Sequence, residues 1–295
     1  MSWDCARVRR PASTARVPAS IAVLALAAAA LLPAAAVAQQ GVGDVVYVPT
    51  PQVVVDTMLD MAQVGPNDNL IDLGSGDGRV VVTAAKRGAR GLGVDLDKVL
   101  LGQARQLAER EKVADRAVFR EQNLFETDLS QATVVTTYLL PEMNLRLRPK
   151  ILALKPGTRV VAHDYHMGDW LPDQRKDVDV PEKKVGNPGL SHVYYWVVPA
   201  RVEGVWRGTA GGRTWEFAFK QRHQFVSGVA RSNNFAGDFE RVRLIGDELR
   251  FSFGAGAEER EFVGRAVNGV IDGKLVGKAR GKPVVERLTL KAASG

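Results

Sequence analysis

Residues 70–79 read LIDLGSGDGR and combine carboxylates with three glycines at alternate positions. Glycine has no side chain, so a ligand can approach its backbone closely, and the chain can adopt positive φ angles there. A glycine-rich turn between a first strand and a helix is shared by several classes of nucleotide-binding protein. The residues that we expect to contact a cofactor in this loop are Asp72, Gly74, Ser75, Gly76 and Gly78.

The spacing of the glycines restricts the class of ligand. A P-loop is excluded because no Gly-Lys-Ser/Thr sequence follows Gly78. The dinucleotide fingerprint G-x-G-x-x-G is not matched, since the spacing is G-x-G-x-G and residue 79 is Arg. Asp77 adds a carboxylate where a pyrophosphate would need an uncluttered helix N-terminus. The acidic loop suits a ligand with a cationic part, such as S-adenosylmethionine, which carries a sulfonium and an ammonium group.

The elements around the loop alternate between strand and helix patterns. The sequence predicts strands at 69–72, 91–95, 117–121, 132–138, 158–162 and 192–198, and helices at 51–64, 79–86, 98–111 and 141–155 with an interruption or kink at Pro149. Such alternation is typical of an α/β domain with a Rossmann-like, mostly parallel sheet covered by helices on both faces. Ligands of these sheets bind at the carboxyl ends of the strands, where the glycine loop falls.

The pattern changes after Pro199. Short stretches of period two, separated by Gly or Asn-Gly, run from 202 to 291 and predict a small antiparallel all-β domain, a barrel or a sandwich. Its aromatic residues are expected to form its core (Trp206, Trp215, Phe217 and Phe219). Residues 201–295 have a net charge of +6, because 17 Lys and Arg face 11 Asp and Glu. A role in binding a partner or presenting a substrate stays open.

The first 38 residues have the pattern of an export leader. Four arginines precede an apolar run at 21–32, and Ala36-Val37-Ala38 is an A-x-A cleavage pattern. We expect a signal peptide or an uncleaved membrane anchor at 1–38, followed by domains at 39–200 and 201–295. The protein would then be exported to the periplasm or anchored in the membrane. Cys5, the single cysteine, lies in this leader, so the remaining chain has no disulfide.

The loop 72–78 resembles the first motif of the class I, seven-β-strand S-adenosylmethionine-dependent methyltransferases. The resemblance implies that this loop passes the methionine part of the cofactor. Asp95 ends the second predicted strand in GLGVD and matches the acid that hydrogen-bonds both ribose hydroxyls. Asn123 stands where the family usually has an acid near the adenine amine, and its amide oxygen can still accept a hydrogen bond.

Two further stretches narrow the resemblance. TTYLLPEMNLRLRPKILALKPGTRVV at 136–161 and YVPTP at 47–51 look like a subgroup of protein-lysine methyltransferases. That subgroup includes the mitochondrial enzymes that act on an ATP synthase ring subunit and on the adenine nucleotide carrier. The resemblance covers about residues 45–198. It implies that Tyr47 and Thr50 form a lid over the cofactor, although a plain entry loop is the alternative.

Three polar residues are candidates for the chemistry of methyl transfer. Tyr138 ends the fourth predicted strand, where related enzymes place residues that face the methyl group. His163 and Asp164 lie just past the fifth strand at the same rim, with His166 nearby. His163, Asp164 and His166 could contact the substrate, bind a metal or serve as ordinary polar residues of the loop. Of these alternatives, we do not expect a metal site. Positioning supplies most of the rate in such a displacement, because the sulfonium is already a good leaving group.

Three functions remain open. The first is a methyltransferase that acts on a lysine of a protein substrate. The second is an exported binding module that keeps the fold without turnover, since a periplasmic location separates the protein from a cofactor made in the cytosol. The third is methylation of a small molecule or of RNA. Nucleic acid is the less favoured partner, because the basic C-terminal domain has no clear basic and aromatic stripe. Membrane contact would come through an uncleaved leader.

Overall fold

The computed structural model describes residues 47–279 and 282–293. The first part of the described chain alternates helices and strands. In chain order the elements are α1 (Gln52–Met61), β1 (Asn69–Leu73), α2 (Arg79–Lys86), β2 (Arg90–Asp95), α3 (Lys98–Arg110), β3 (Ala117–Glu121), β4 (Val134–Thr137), α4 (Pro141–Leu152), β5 (Arg159–His163), β6 (Gln174–Val180) and β7 (Gly189–Val197).

These strands form one seven-stranded sheet in the order β3-β2-β1-β4-β5-β7-β6. The strands from β3 to β5 pair in parallel, and β7 pairs antiparallel with both β5 and β6. Side chains of α1, α2 and α3 pack in one hydrophobic cluster, and α4 contributes Leu147 and Ile151 to the cluster on the other face. The predicted Rossmann-like fold class is therefore confirmed.

Local chemistry explains where the helices begin. Asp97 caps α3, because its Oδ1 accepts hydrogen bonds from the backbone N–H groups of Val99 and Leu100. Pro141 occupies the first position of α4, where a missing N–H costs nothing. The helix continues through Pro149 to Leu152, so the proline does not end it.

The second part of the described chain forms a closed antiparallel barrel, which confirms the predicted all-β domain. Its elements are β8 (Gly204–Ala210), β9 (Arg213–Arg222), β10 (Phe225–Ser232), β11 (Phe235–Ile245), β12 (Glu248–Phe253), a short 3₁₀ helix (Gly256–Glu258), β13 (Arg260–Val267), β14 (Val270–Ala279) and β15 (Lys282–Ala292). Each strand pairs with the next, and β15 returns to β8. The interior is filled with aromatic and aliphatic side chains, and the predicted core residues Trp206, Trp215, Phe217 and Phe219 are buried there.

The barrel contacts the seven-stranded sheet at the edge formed by the amino ends of the sheet strands β5 and β6. Gly246, in the turn between β11 and β12, accepts a hydrogen bond of 2.7 Å from the Ala200 N–H and packs against Gly157, which precedes β5. Gln224 donates to the Leu171 carbonyl oxygen near the start of β6. The glycine loop lies at the opposite, carboxyl edge of the sheet. The barrel therefore contacts the side of the sheet that faces away from the loop.

The predicted leader at 1–38 lies outside the described residues. Within the two described ranges, no helix combines the length and apolar character required to cross a membrane.

Candidate functional site

The carboxyl ends of β1, β2, β3 and β4 open onto one cleft beside the point where the strand order reverses. This is the position at which open α/β sheets bind their ligands. Charged, polar and apolar residues all line the cleft, and they include Tyr47, Thr50, Asp72, Gly74, Ser75, Asp77, Arg79, Asp95, Leu96, Leu100, Asn123, Leu124, Phe125 and Tyr138.

The glycine loop has the backbone conformation that its sequence indicates. Gly74, Gly76 and Gly78 have φ angles of 79°, 50° and 79°, in the left-handed region that favours glycine. A Cβ on Gly76 would collide with the ring of Tyr47, and one on Gly74 would lie 3.0 Å from Leu139. The loop is therefore a cradle of main chain that any larger residue would obstruct.

Asp95 connects the end of β2 to the glycine loop. Its Oδ2 accepts a hydrogen bond of 2.8 Å from the Gly76 N–H, and its Oδ1 accepts one of 3.0 Å from the Asp97 N–H. A carboxylate has about four lone-pair sites, so both oxygens can accept a further hydrogen bond from a ligand. The backbone thus fixes the carboxylate in an orientation that suits a vicinal diol.

Asp72 lies at the bottom of the cleft. It is buried, and its Oδ1 accepts a hydrogen bond of 2.7 Å from the Thr136 hydroxyl. Burial raises the pKa of Asp72 to about 7; the bond from Thr136 opposes the rise, and the charges of Asp95 and Asp77 add to it. The three carboxylates make this end of the cleft acidic, so it favours a cationic group over a phosphate.

The segment before α1 covers the glycine loop. Arg79 forms an ion pair of 2.5 Å with Asp77, and its Nη1 donates a hydrogen bond of 2.8 Å to the Thr50 carbonyl oxygen. Burial and the charge of Asp77 raise the pKa of the Tyr47 hydroxyl. Tyr47 and Thr50 thus lie where a lid would lie, and Arg79, which the sequence analysis did not single out, ties them to the loop.

The opposite end of the cleft is lined by apolar side chains, from Leu96, Leu100, Leu124 and Phe125. Asn123 lies among them, and its side chain is engaged in a local turn. Its Oδ1 accepts a hydrogen bond from the Phe125 N–H, and its Nδ2 donates to Glu126. An apolar slot with an amide at its edge suits a planar base. The four apolar residues belong to no recognisable motif, although each follows the end of a strand or lies in the first turn of the next helix.

Tyr138 follows β4, and its ring lines the cleft. The ring lies against the imidazole of His163, with the centroids 3.9 Å apart. Its hydroxyl is 3.4 Å from Oδ2 of Asp164. Burial raises the pKa of the Tyr138 hydroxyl and the charge of Asp164 raises it further, so the phenol is neutral at physiological pH.

His163 is the last residue of β5 and is fully buried behind Tyr138. Its Nδ1 is 3.2 Å from the Thr50 hydroxyl, and its Nε2 is 2.9 Å from the Ser191 hydroxyl. Burial lowers the pKa of this imidazole to about 4. An ammonium group with a pKa of about 10.4 does not readily pass a proton to so weak a base. The geometry therefore favours a positioning role for His163 over proton transfer.

The side chain of Asp164 is also buried, one layer behind the cleft. It has a positive φ of 61°, and its carboxylate accepts hydrogen bonds from the Lys183 ammonium at 2.5 Å and the His192 N–H at 3.0 Å. The structure thus brings the three predicted residues together, and Tyr138 is the one whose side chain reaches the cleft. Lys183 was missed, because it stands in a loop with no recognisable motif.

The described residues hold no group of three or more His, Cys, Asp or Glu side chains arranged for a metal ion. His166 has a local partner, since its Nδ1 accepts a hydrogen bond of 2.9 Å from the Gly168 N–H.

The shape and charge of the cleft fit S-adenosylmethionine. Its carboxylates face the position of a cationic methionine part, the backbone cradle leaves no room for side chains, and Asp95 can accept from two ribose hydroxyls. The apolar slot around Leu96 and Phe125 provides a wall for an adenine ring.

Part of this chain is similar to known proteins. The ANTKMT methyltransferase domain matches residues 72–174. A protein-lysine N-methyltransferase from Saccharolobus islandicus (strain REY15A) is 41% identical over 155 residues, which cover 52% of this chain and 92% of the relative. The adenine nucleotide translocase lysine N-methyltransferase of Mus musculus is 32% identical over 120 residues, 40% of this chain and 52% of the relative.

A solved structure gives a similar match. The crystal structure of an RNA methyltransferase from Salinibacter ruber in complex with S-adenosyl-L-homocysteine has a sequence identity of 48% and a TM-score of 0.47, and the match covers 52% of this chain and 96% of that chain. This chain thus spans nearly all of the archaeal relative and about half of the mouse relative. It belongs to the class I S-adenosylmethionine-dependent methyltransferases, in the group that carries the ANTKMT methyltransferase domain and includes protein-lysine N-methyltransferases, and its cofactor is S-adenosylmethionine.

Proposed function

We propose that this methyltransferase transfers the methyl group to the ε-amine of a lysine in a protein substrate. The observation that carries the proposal is the 41% identity to a protein-lysine N-methyltransferase over 92% of that relative. The cleft is compatible with this acceptor, because a neutral tyrosine hydroxyl and a carboxylate-rich loop can accept hydrogen bonds from an amine.

The residues of the chain would act mainly by binding and orientation. When bound, S-adenosylmethionine supplies an electrophilic methyl group on its sulfonium sulfur. Asp95 would hold the sugar, Asp72 and the glycine loop would hold the methionine part, and Tyr138 lies in the lining of the same cleft, where an amine could approach the methyl group. The amine must arrive deprotonated, because the lone pair of its nitrogen forms the new bond to the methyl group as the bond from the methyl group to sulfur breaks. Correct alignment can supply a large share of the rate in such a reaction.

Labelling with a radioactive methyl group tests the acceptor. Purified enzyme with S-adenosylmethionine and a cell lysate is expected to place the label in protein, and acid hydrolysis should release it as methylated lysine. Label in RNA or in a small molecule would contradict the lysine proposal while leaving the methyltransferase activity intact. Absence of label from every fraction would favour a binding module without turnover.

Replacement of Tyr138 by phenylalanine is expected to lower kcat by about 10- to 100-fold, which corresponds to a loss of about 1.4–2.7 kcal/mol of transition-state stabilisation. The affinity for S-adenosylmethionine should change less than threefold, because the ring remains packed against His163. Steady-state kinetics and isothermal titration calorimetry measure the two effects separately. An unchanged kcat would show that the hydroxyl has no part in the reaction.

The pKa of Asp72 predicts that cofactor binding depends on pH. Below its pKa of about 7 the side chain is neutral, and a cationic ligand favours its ionised form. Binding should therefore release a proton, and affinity should rise between pH 5.5 and 7, by at most about tenfold per pH unit, and then level off. Calorimetry in buffers of different ionisation enthalpy measures the released protons. Asp72→Asn should bind weakly with no such slope; a slope that persists would assign it to another group.

The raised pKa of Asp72 also predicts how the stability of the cofactor-free enzyme depends on pH. An acid whose folded pKa is raised holds its proton more tightly in the folded state, so its contribution to stability is lost as pH rises from about 4 to about 7. The melting temperature of the wild type should fall across this window relative to Asp72→Asn.

We also propose that residues 1–38 direct export or anchor the protein in a membrane, as their basic, apolar and A-x-A pattern indicates. Cell fractionation with N-terminal sequencing tests this. A mature N-terminus at Gln39 in the periplasm would support cleavage, and an intact leader in the membrane fraction would support an anchor that leaves the enzyme facing its cofactor supply. An intact leader in the soluble cytosolic fraction would contradict both.

A further inference from the structure

A buried ion pair lies directly behind the cleft. The Lys183 ammonium is 2.5 Å from Oδ2 of Asp164, and the side chain of each residue is only 5% exposed. Lys183 also donates a hydrogen bond of 2.7 Å to the Leu190 carbonyl oxygen, and Asp164 accepts one from the His192 N–H. The pair therefore joins the end of β5 to the loop between β6 and β7. Taking two charges out of water is costly, so such a pair calls for an explanation beyond stability.

The pair determines the direction of the hydrogen bond at Tyr138. A carboxylate that faces an ammonium group is ionised and can only accept hydrogen bonds. Oδ2 of Asp164 faces the Tyr138 hydroxyl at 3.4 Å as well as Lys183, so the tyrosine must donate its proton toward Asp164. The lone pairs of the phenol oxygen are then left for the cleft. An oxygen presented in this way accepts from an N–H or O–H group and offers no proton to a second acceptor.

We propose that Lys183 is a positioning residue for methyl transfer: by pairing with Asp164 it fixes the Tyr138 hydroxyl as an acceptor toward the cleft and so selects an acceptor group that carries N–H donors. This inference rests on the proposed function, since a lysine ε-amine is such a group. Beyond that function, we infer that Lys183 acts through Asp164 and Tyr138 and does not contact the substrate. His163 and Tyr165 lie beside the same groups: Nε2 of His163 is 3.6 Å from Oδ1 of Asp164, and the centroids of the Tyr165 and Tyr138 rings are 6.3 Å apart.

The first test compares two adjacent lysines. Lys183→Met is expected to lower kcat by about 10- to 100-fold with less than a threefold change in the dissociation constant of S-adenosylmethionine. Lys184→Met is the matched control, because Lys184 is the next residue and is exposed, and it should leave kcat unchanged. A wild-type kcat in Lys183→Met would overturn the proposal.

A double-mutant cycle separates positioning from a general structural effect. If Lys183 acts through Tyr138, adding Lys183→Met to Tyr138→Phe should lower kcat by less than about threefold beyond Tyr138→Phe alone. A merely structural role predicts that the two losses multiply, and this outcome would contradict the proposal. Circular dichroism and the affinity for S-adenosylmethionine report whether each variant is folded.

One further variant covers the case in which Lys183→Met does not fold. The double variant Asp164→Asn with Lys183→Met leaves no uncompensated buried charge, so it is expected to fold. The Asn amide can donate or accept, so the tyrosine is no longer fixed and the loss of kcat should persist; a wild-type kcat in this variant would overturn the proposal. Hydrolysis of the labelled product of the wild type distinguishes failure of the proposed function from failure of this inference. Label outside methyl-lysine would refute the proposed lysine acceptor. Label in methyl-lysine, together with a wild-type kcat in Lys183→Met, would refute the role of Lys183 alone.

Discussion

Asp95→Ala is expected to weaken the binding of S-adenosylmethionine by about 100-fold or more. In the proposed pose, the two carboxylate oxygens accept hydrogen bonds from the two ribose hydroxyls. Hydrogen bonds to a charged group contribute about 1.5–3 kcal/mol each, so two of them account for about 3–6 kcal/mol. The substitution also removes the bond from the Gly76 N–H to Oδ2, which holds the glycine loop against β2. Isothermal titration calorimetry measures the loss directly.

Glu121→Ala is the matched control for this measurement. Glu121 occupies the equivalent end of the neighbouring strand, paired in register with Asp95, and it is exposed with Lys98 as its partner. Removing its carboxylate should change the affinity for S-adenosylmethionine less than twofold. Asp95→Asn should bind with intermediate affinity, because its amide oxygen still accepts one hydrogen bond. Wild-type affinity in Asp95→Ala would refute the assignment of this residue to the sugar.

The cofactor side of the cleft could be anticipated from sequence because its residues are local to two short motifs. The glycines at 74, 76 and 78 report a backbone requirement that few other residues satisfy, and the structure gives all three a positive φ. An acid at the end of the second strand must point to the carboxyl edge, where the loop lies. Most strands of the sheet could be located from short apolar runs alone, because parallel strands are buried on both faces.

The substrate side could not be anticipated in the same way, because it depends on contacts between distant residues. Lys183, in the loop between β6 and β7, pairs with Asp164 at the end of β5, and no local pattern marks that pairing. The strand β6 was also missed, since QRKDVDV lies at an edge of the sheet and its four first residues are exposed. His163 looked like a rim residue in the sequence, yet hydrogen bonds to Thr50 and Ser191 hold it inside.

The barrel is spatially separate from the chemistry. It contacts the sheet at Gly157 and Leu171, at the edge opposite the cleft. A barrel at this edge is not placed to cover the cofactor cleft.

Gly78→Ala is expected to be the most destabilising single substitution in the loop. Gly78 has a φ of 79°, and an added Cβ would lie 2.6 Å from the Ala104 Cβ and from the ring of Phe119. The left-handed conformation costs about 1–2 kcal/mol for a residue with a Cβ. Overpacking of a core adds about 1–3 kcal/mol. The sum is a large part of the stability of an ordinary domain, about 5–15 kcal/mol.

Gly157→Ala separates the two causes of this loss. Gly157 also has a positive φ, of 92°, but a Cβ placed there would meet no atom within 4 Å. It should therefore lose only the conformational part, whereas Gly78→Ala should lose both parts and show the larger fall in melting temperature. Differential scanning fluorimetry of the two variants without cofactor measures this difference. Equal losses would mean that α3 and β3 move apart to admit the methyl group, and that the third glycine is required for its backbone conformation alone and not for close packing beneath the cofactor loop.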